Sequence, residues 1–128
     1  MSLAERLPGL RFEQSVYDRL EREIFGRPLA NAIMRRLSIL SEMATCATAG
    51  EFHELDEKYW HGDRAYFSDE SDTRKQNLRQ KLTFLVRGTP TLCSFHGKIK
   101  IRAFRIYIDS RPKIGNQVTI VYIGRKIL

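Results

Sequence analysis

The chain has 128 residues, 42% of them hydrophobic and 29% charged, with 22 Lys and Arg against 15 Asp and Glu. That length fits a single domain, 1–128, able to bury a core, and no apolar run approaches the ~20 residues needed to cross a bilayer, which argues against a membrane partner. The opening MSLAERLPGL places an acid and a proline where a signal peptide carries its apolar core, so a cytoplasmic location is expected, with Cys46 and Cys93 as isolated thiols outside any CxxC or metal-finger spacing.

Taken in chain order, GLRF (9–12) reads as a short strand. FEQSVYDRLEREIF (12–25) has helical spacing, with Val16, Leu20 and Ile24 on one face, and Gly26-Arg27-Pro28 ends it. LANAIMRRLSILSEMATC is the next helix, with Pro28 near its first turn and a stripe of Leu29, Ile33, Leu37, Leu40 and Met43. Residues 47–70 are aromatic, acidic and irregular, with a short helix expected over 51–60. SDTRKQNLRQKLTFLVRGTP (71–90) reads as one helix. Ser71 or Asp72 caps it, Leu78, Leu82 and Leu85 form its stripe, and Gly88 and Pro90 stop it. Residues 1–90 are thus mainly helical.

Residues 91–128 read as an antiparallel meander. TLCSF (91–95) is a strand, followed by a turn at His96-Gly97. Residues 98–108 form one long strand with a bulge near Arg102-Ala103, or two short strands with a tight turn there. DSRPKIGNQ is a turn-rich connection, and VTIVYIG is a β-branched, nearly all-apolar central strand. The expected fold class is α+β: N-terminal helices packed on one face of a small antiparallel sheet, formed mainly by the C-terminal third.

Charge is unevenly placed. Residues 1–64 hold 9 cations and 11 acids, whereas from Arg74 onward 13 cations meet one acid, Asp109. Folding does not require that imbalance, and self-repulsion makes it costly; a polyanionic partner, RNA first, explains it. In HGKIKIRAFRIYI (96–108), alternation sends Ile99, Ile101, Phe104, Ile106 and Ile108 toward the helices. Lys98, Lys100, Arg102, Arg105 and Tyr107 then lie on an open face. Cations spaced ~6–7 Å along a strand suit a nucleic-acid backbone, and Arg125 and Lys126 leave the last strand beside them. Tyr107 is placed to stack on a base. His53, Glu57 and His61 share one helix face, but HELDE is not HExxH, and no metal or other cofactor is expected.

Three segments, TRKQNLRQKLTFLVRGTP, KIKIRAFRIYI and VTIVYIGRKIL, resemble the RelE/ParE superfamily of bacterial toxins from toxin–antitoxin systems; the likeness covers roughly 55 residues. It implies a basic α+β protein and, for the ribosome-dependent RelE-like branch, metal-independent mRNA endoribonuclease activity at the ribosome, held in check by an antitoxin protein. By position, Lys98 and Lys100 match the hairpin lysines, Arg105 the strand arginine and Arg125 the arginine after the last strand. Cleavage through the substrate's own 2′-OH needs a base, an acid and fixed positive charge at the phosphate; Tyr107 or His96 would have to stand in for the tyrosine these nucleases often carry. The ParE branch acts on gyrase instead. A non-catalytic nucleic-acid- or gyrase-binding module, or an interaction domain for an acidic protein, therefore stays open.

Overall fold

The computed structural model describes residues 2–128. The chain runs α1 (Leu3–Arg6), β1 (Leu10–Phe12), α2 (Gln14–Glu21), α3 (Arg27–Ala44), α4 (Ala49–Trp60), β2 (Phe67–Asp69), α5 (Asp72–Asn77), β3 (Thr83–Val86), β4 (Thr89–Leu92), β5 (Phe95–Ile99), β6 (Phe104–Ile108) and β7 (Val118–Arg125). Its class is α+β. A five-stranded sheet has the order β1-β7-β6-β5-β2, and β3 and β4 form a separate two-stranded sheet. The main sheet is mixed rather than antiparallel, because β1 runs parallel to β7, Leu10 lying opposite Val118. Two of its strands, β1 and β2, come from outside the C-terminal third.

The long third helix follows its sequence signals. Pro28 occupies its first turn, where a missing N–H costs nothing. Leu29, Ile33, Leu37, Leu40 and Met43 are all buried. Ser71 caps α5 by accepting from Arg74 N, and Thr48 caps α4 through Glu51 N. The second helix stops at Glu21, so Ile24 lies beyond it and is 89% exposed instead of joining Val16.

The expected helix over 71–90 is the largest departure. Only its first turn and a half is helical; Thr83–Leu92 is a hairpin. Arg87 and Gly88, at φ 52° and 82°, form the two-residue turn, the doubly left-handed type whose twist suits paired strands. Glu13 anchors this turn by accepting from Arg87 N at 2.9 Å and from Arg11 at 2.6 Å. Leu82 is buried, but Leu85 points to solvent and is 62% exposed.

His96 and Gly97 are not a turn. They sit inside β5, opposite Tyr107 and Ile106. A glycine is needed at 97 because the ring of Phe67 stands 2.9 Å from where a Cβ would project. The real turn is Lys100–Ala103, with Arg102 and Ala103 left-handed at φ 55° and 52°. Residues 98–108 are therefore two strands, the second of the two arrangements expected. Ile101, in that turn, is exposed and leaves the apolar series.

Alternation then divides the sheet's side chains. Phe104, Ile106, Ile108, Ile120 and Ile123 pack with Val16, Leu37 and Leu40 of the helices. Tyr107 and Val121 pack against Leu82, Phe84 and Val86 of the hairpin segment. The second face is thus covered at its centre by β3 and β4, not open.

Candidate functional site

Where the hairpin does not reach, at the β5–β6 turn end of the sheet, lies an open groove of about 760 Å³. Its walls come from four places. The third helix supplies Arg36, the turn after α4 supplies Asp63, Arg64 and Tyr66, β5 and the following turn supply Lys98 and Lys100, and β6 supplies Arg105. Five side chains are cationic and one is acidic. Lys98 and Arg105 are direct partners across the antiparallel ladder, which puts two like charges at the closest side-chain approach a sheet offers, an arrangement that is destabilising on its own. Neither makes a salt bridge among the described residues; nor do Arg36, Arg64 or Lys100.

Arg36 is the best-held of these groups. Its Nε donates to the Lys98 carbonyl at 2.7 Å and an Nη to the Ala32 carbonyl at 3.1 Å. Its guanidinium lies 4.1 Å from the centre of the Tyr66 ring. Burial draws it below the ordinary arginine range, with Arg35 adding repulsion. Arg35 donates from Nε to the Tyr66 hydroxyl at 3.1 Å, and that hydrogen bond, reinforced by the surrounding positive charge, holds the phenol below its usual value.

Of the residues singled out in the sequence, Lys98, Lys100 and Arg105 come together in this groove. Arg125 and Lys126 are exposed on the next strand end, Arg125 opposite Phe104, outside the groove lining. Arg102 turns away. Its guanidinium donates to the Ile24 carbonyl at 2.8 Å and pairs with Glu23 at 3.1 Å, because the left-handed turn redirects it.

Tyr107 and His96 are corrected more sharply. Tyr107 is 0% exposed and cannot offer its ring to a base; His96 is 3% exposed. Both belong to a buried network centred on Glu70, a residue the sequence reading passed over. Tyr107 Oη donates to Glu70 Oε1 at 3.1 Å. His96 Nδ1 lies 3.3 Å from the same oxygen and 3.1 Å from the Ser94 carbonyl; two acceptors at one nitrogen place the proton there. Arg74 donates to the other Glu70 oxygen. Burial pushes the Tyr107 phenol up to about 12, helped by the Glu70 charge, and pushes the His96 imidazole down. Burial alone would raise Glu70; the Arg74 hydrogen bond, with His96 and Tyr107, outweighs it and keeps the carboxylate ionised. Ser68 stands opposite His96 on β2, with its hydroxyl buried and unbonded. Ser68, His96 and Glu70 are the residue types of a hydrolytic triad, but the serine does not bond the imidazole, and His96 is buried out of reach of a substrate.

On α4 and at its C-cap, Asp56, Glu57 and His61 bring ligand atoms within 4.8 Å of one another; His53 is not among them. Asp56 lies 3.1 Å from His61 Nε2 and already pairs with Arg111 at 2.9 Å, and the arginine offsets the charge a metal would need. No helix among the described residues is long and apolar enough to cross a membrane. Comparison of the chain with protein-family models, curated proteins and solved structures finds no match.

Proposed function

We propose that the groove at the β5–β6 turn binds the phosphates of single-stranded RNA. The carrying observation is the cross-strand pair Lys98 and Arg105, held side by side with no salt bridge to either among the described residues. A fold that keeps such a repulsion in an open groove, beside three more cations without salt-bridge partners, is built for an anion larger than any side chain of its own. Arg36 supports this reading, since two of its donors and its ring stack fix it in place and leave the remaining N–H groups for a ligand.

Cleavage of the bound strand, by a RelE/ParE-type toxin neutralised by an antitoxin, is the second reading. It is favoured by three of the four cations that the resemblance marks, Lys98, Lys100 and Arg105, lining one groove. Binding takes precedence because the candidate proton donors His96 and Tyr107 are buried away from it. The test incubates end-labelled single-stranded RNA with the protein, and with a Lys98→Ala/Lys100→Ala/Arg105→Ala variant. Binding at low salt that disappears in the variant is expected; products ending in a cyclic phosphate would establish the second reading. Equal RNA affinity of the two proteins would overturn the proposal.

A further inference from the structure

We infer that Asp63 selects the base, so that the groove takes RNA segments whose bases carry an exocyclic amino group and disfavours uridine. This inference rests on the phosphate-binding reading and extends it from the backbone to the base.

The groove is rich in donors and poor in free acceptors. Arg36, Arg64, Lys98, Lys100 and Arg105 line the groove, and lysine and arginine are donors with no acceptor. The groove's oxygens are largely engaged within the fold. The Lys98 and Ala32 carbonyls accept from Arg36, the Tyr66 carbonyl from Lys98 N at 2.8 Å and the Lys100 carbonyl from Ala103 N at 3.1 Å. The Tyr66 hydroxyl accepts from Arg35. Asp63 differs. The residue lines the same groove, is exposed, and forms no salt bridge among the described residues even with cations in the same lining. Gly62, at φ 84°, and the bond from Ala65 N to the Gly62 carbonyl at 3.2 Å shape the turn that carries it.

A groove that is cationic with a single anionic acceptor matches a ligand with the reverse pattern: anionic along one edge, with a hydrogen-bond donor set off from it. A nucleotide has that pattern when its base presents an amino group. Cytosine offers N4–H₂ to a carboxylate, adenine N6–H₂, and guanine both N1–H and N2–H₂; uracil offers one N–H flanked by two carbonyl oxygens, which a carboxylate repels. A buffer phosphate or a generic polyanion would use the cations alone and gain nothing from Asp63.

The test compares oligocytidylate with oligouridylate of equal length, which match in charge and ring size, by fluorescence anisotropy at low salt and near-neutral pH. Wild type should prefer the cytidylate by about fivefold or more, the worth of one well-placed polar contact. Asp63→Asn keeps the shape but adds a donor, so the preference should collapse, mainly through tighter uridylate binding. Equal wild-type affinities, or a preference unchanged in Asp63→Asn, would overturn the inference while leaving phosphate binding intact. Failure of both oligonucleotides to bind would instead overturn the phosphate-binding reading beneath it, and the inference with it.

Discussion

Replacing Lys98 and Lys100 together by alanine tests the groove quantitatively. Five cations line it. If each meets one phosphate of a single strand, at ~0.7 counterions released per contact, log K falls against log salt with a slope of about −3.5. Raising salt from ~50 to ~200 mM then weakens wild-type binding by about 100-fold. The double variant keeps three contacts, so its slope should be about −2 and its loss over the same range about 20-fold. Folding should be little affected: both side chains are exposed and make no salt bridge among the described residues, and removing Lys98 relieves its repulsion with Arg105 across the ladder. The control is Lys113→Ala/Lys126→Ala, which removes the same charge from exposed sites outside the groove. Anisotropy titrations at four or five salt concentrations give the slopes. If the control pair shallows the slope as much as the groove pair, attraction comes from the net charge of +7 rather than from this site, and the reasoning fails.

Two further outcomes follow from the same geometry. Arg36→Lys keeps the charge but loses the fixed fork and the planar stack on Tyr66, so RNA affinity measured by titration should fall severalfold although net charge is unchanged; equal affinity would remove Arg36 from the site. The buried Cys93 thiol and Tyr107 phenol are both pushed up to about 12, from ordinary values of 9.0 and 10.0, chiefly by burial. Because the folded state holds these protons more tightly than the unfolded one, their contribution is full at neutral pH and is lost as pH climbs from about 9 toward about 12. Urea midpoints measured under reducing conditions should therefore drop steeply across that window, and less steeply in Cys93→Ala and in Tyr107→Phe; parallel curves for all three proteins would contradict the burial of these groups.

Much of the helical half was legible because its periodicity is long and uninterrupted. The third helix carries five apolar residues at helical spacing behind Pro28, and all five are buried. The 71–90 segment misled because Leu78, Leu82 and Leu85 also fall at helical spacing. The decisive local signal was the density of β-branched residues around Arg87-Gly88: Thr83, Val86, Thr89 and Thr91 flank a two-residue turn. Alternation in 98–108 correctly separated Ile99, Phe104 and Ile106 from Lys98 and Arg105. It could not tell a solvent-facing side chain from one covered by a second layer, and for that reason Tyr107 was misplaced. Arg36, Arg64 and Tyr66 were not legible as site residues at all: they lie more than thirty positions from Lys98, and only tertiary packing brings them to the groove.

The covering hairpin also accounts for where the groove is. Tyr107 and His96 sit on the same face of the sheet as Lys98 and Arg105, two pairs further along the ladder. At Tyr107 the hairpin brings Phe84 to 6.2 Å, ring to ring, and polar groups beneath it are tolerable only because Glu70, Arg74 and Ser94 satisfy them. A further lysine or arginine under that cover would need a second buried acid, because Glu70 already pairs with Arg74. The cations of β5 and β6 are therefore confined to the end of the ladder that the hairpin leaves open. There α3 and the 61–66 turn add Arg36 and Arg64 rather than acids, apart from Asp63. The hairpin covers and neutralises the centre of this face, while the open end is walled by α3, the 61–66 turn and the β5–β6 turn, with Asp63 as its one acidic side chain.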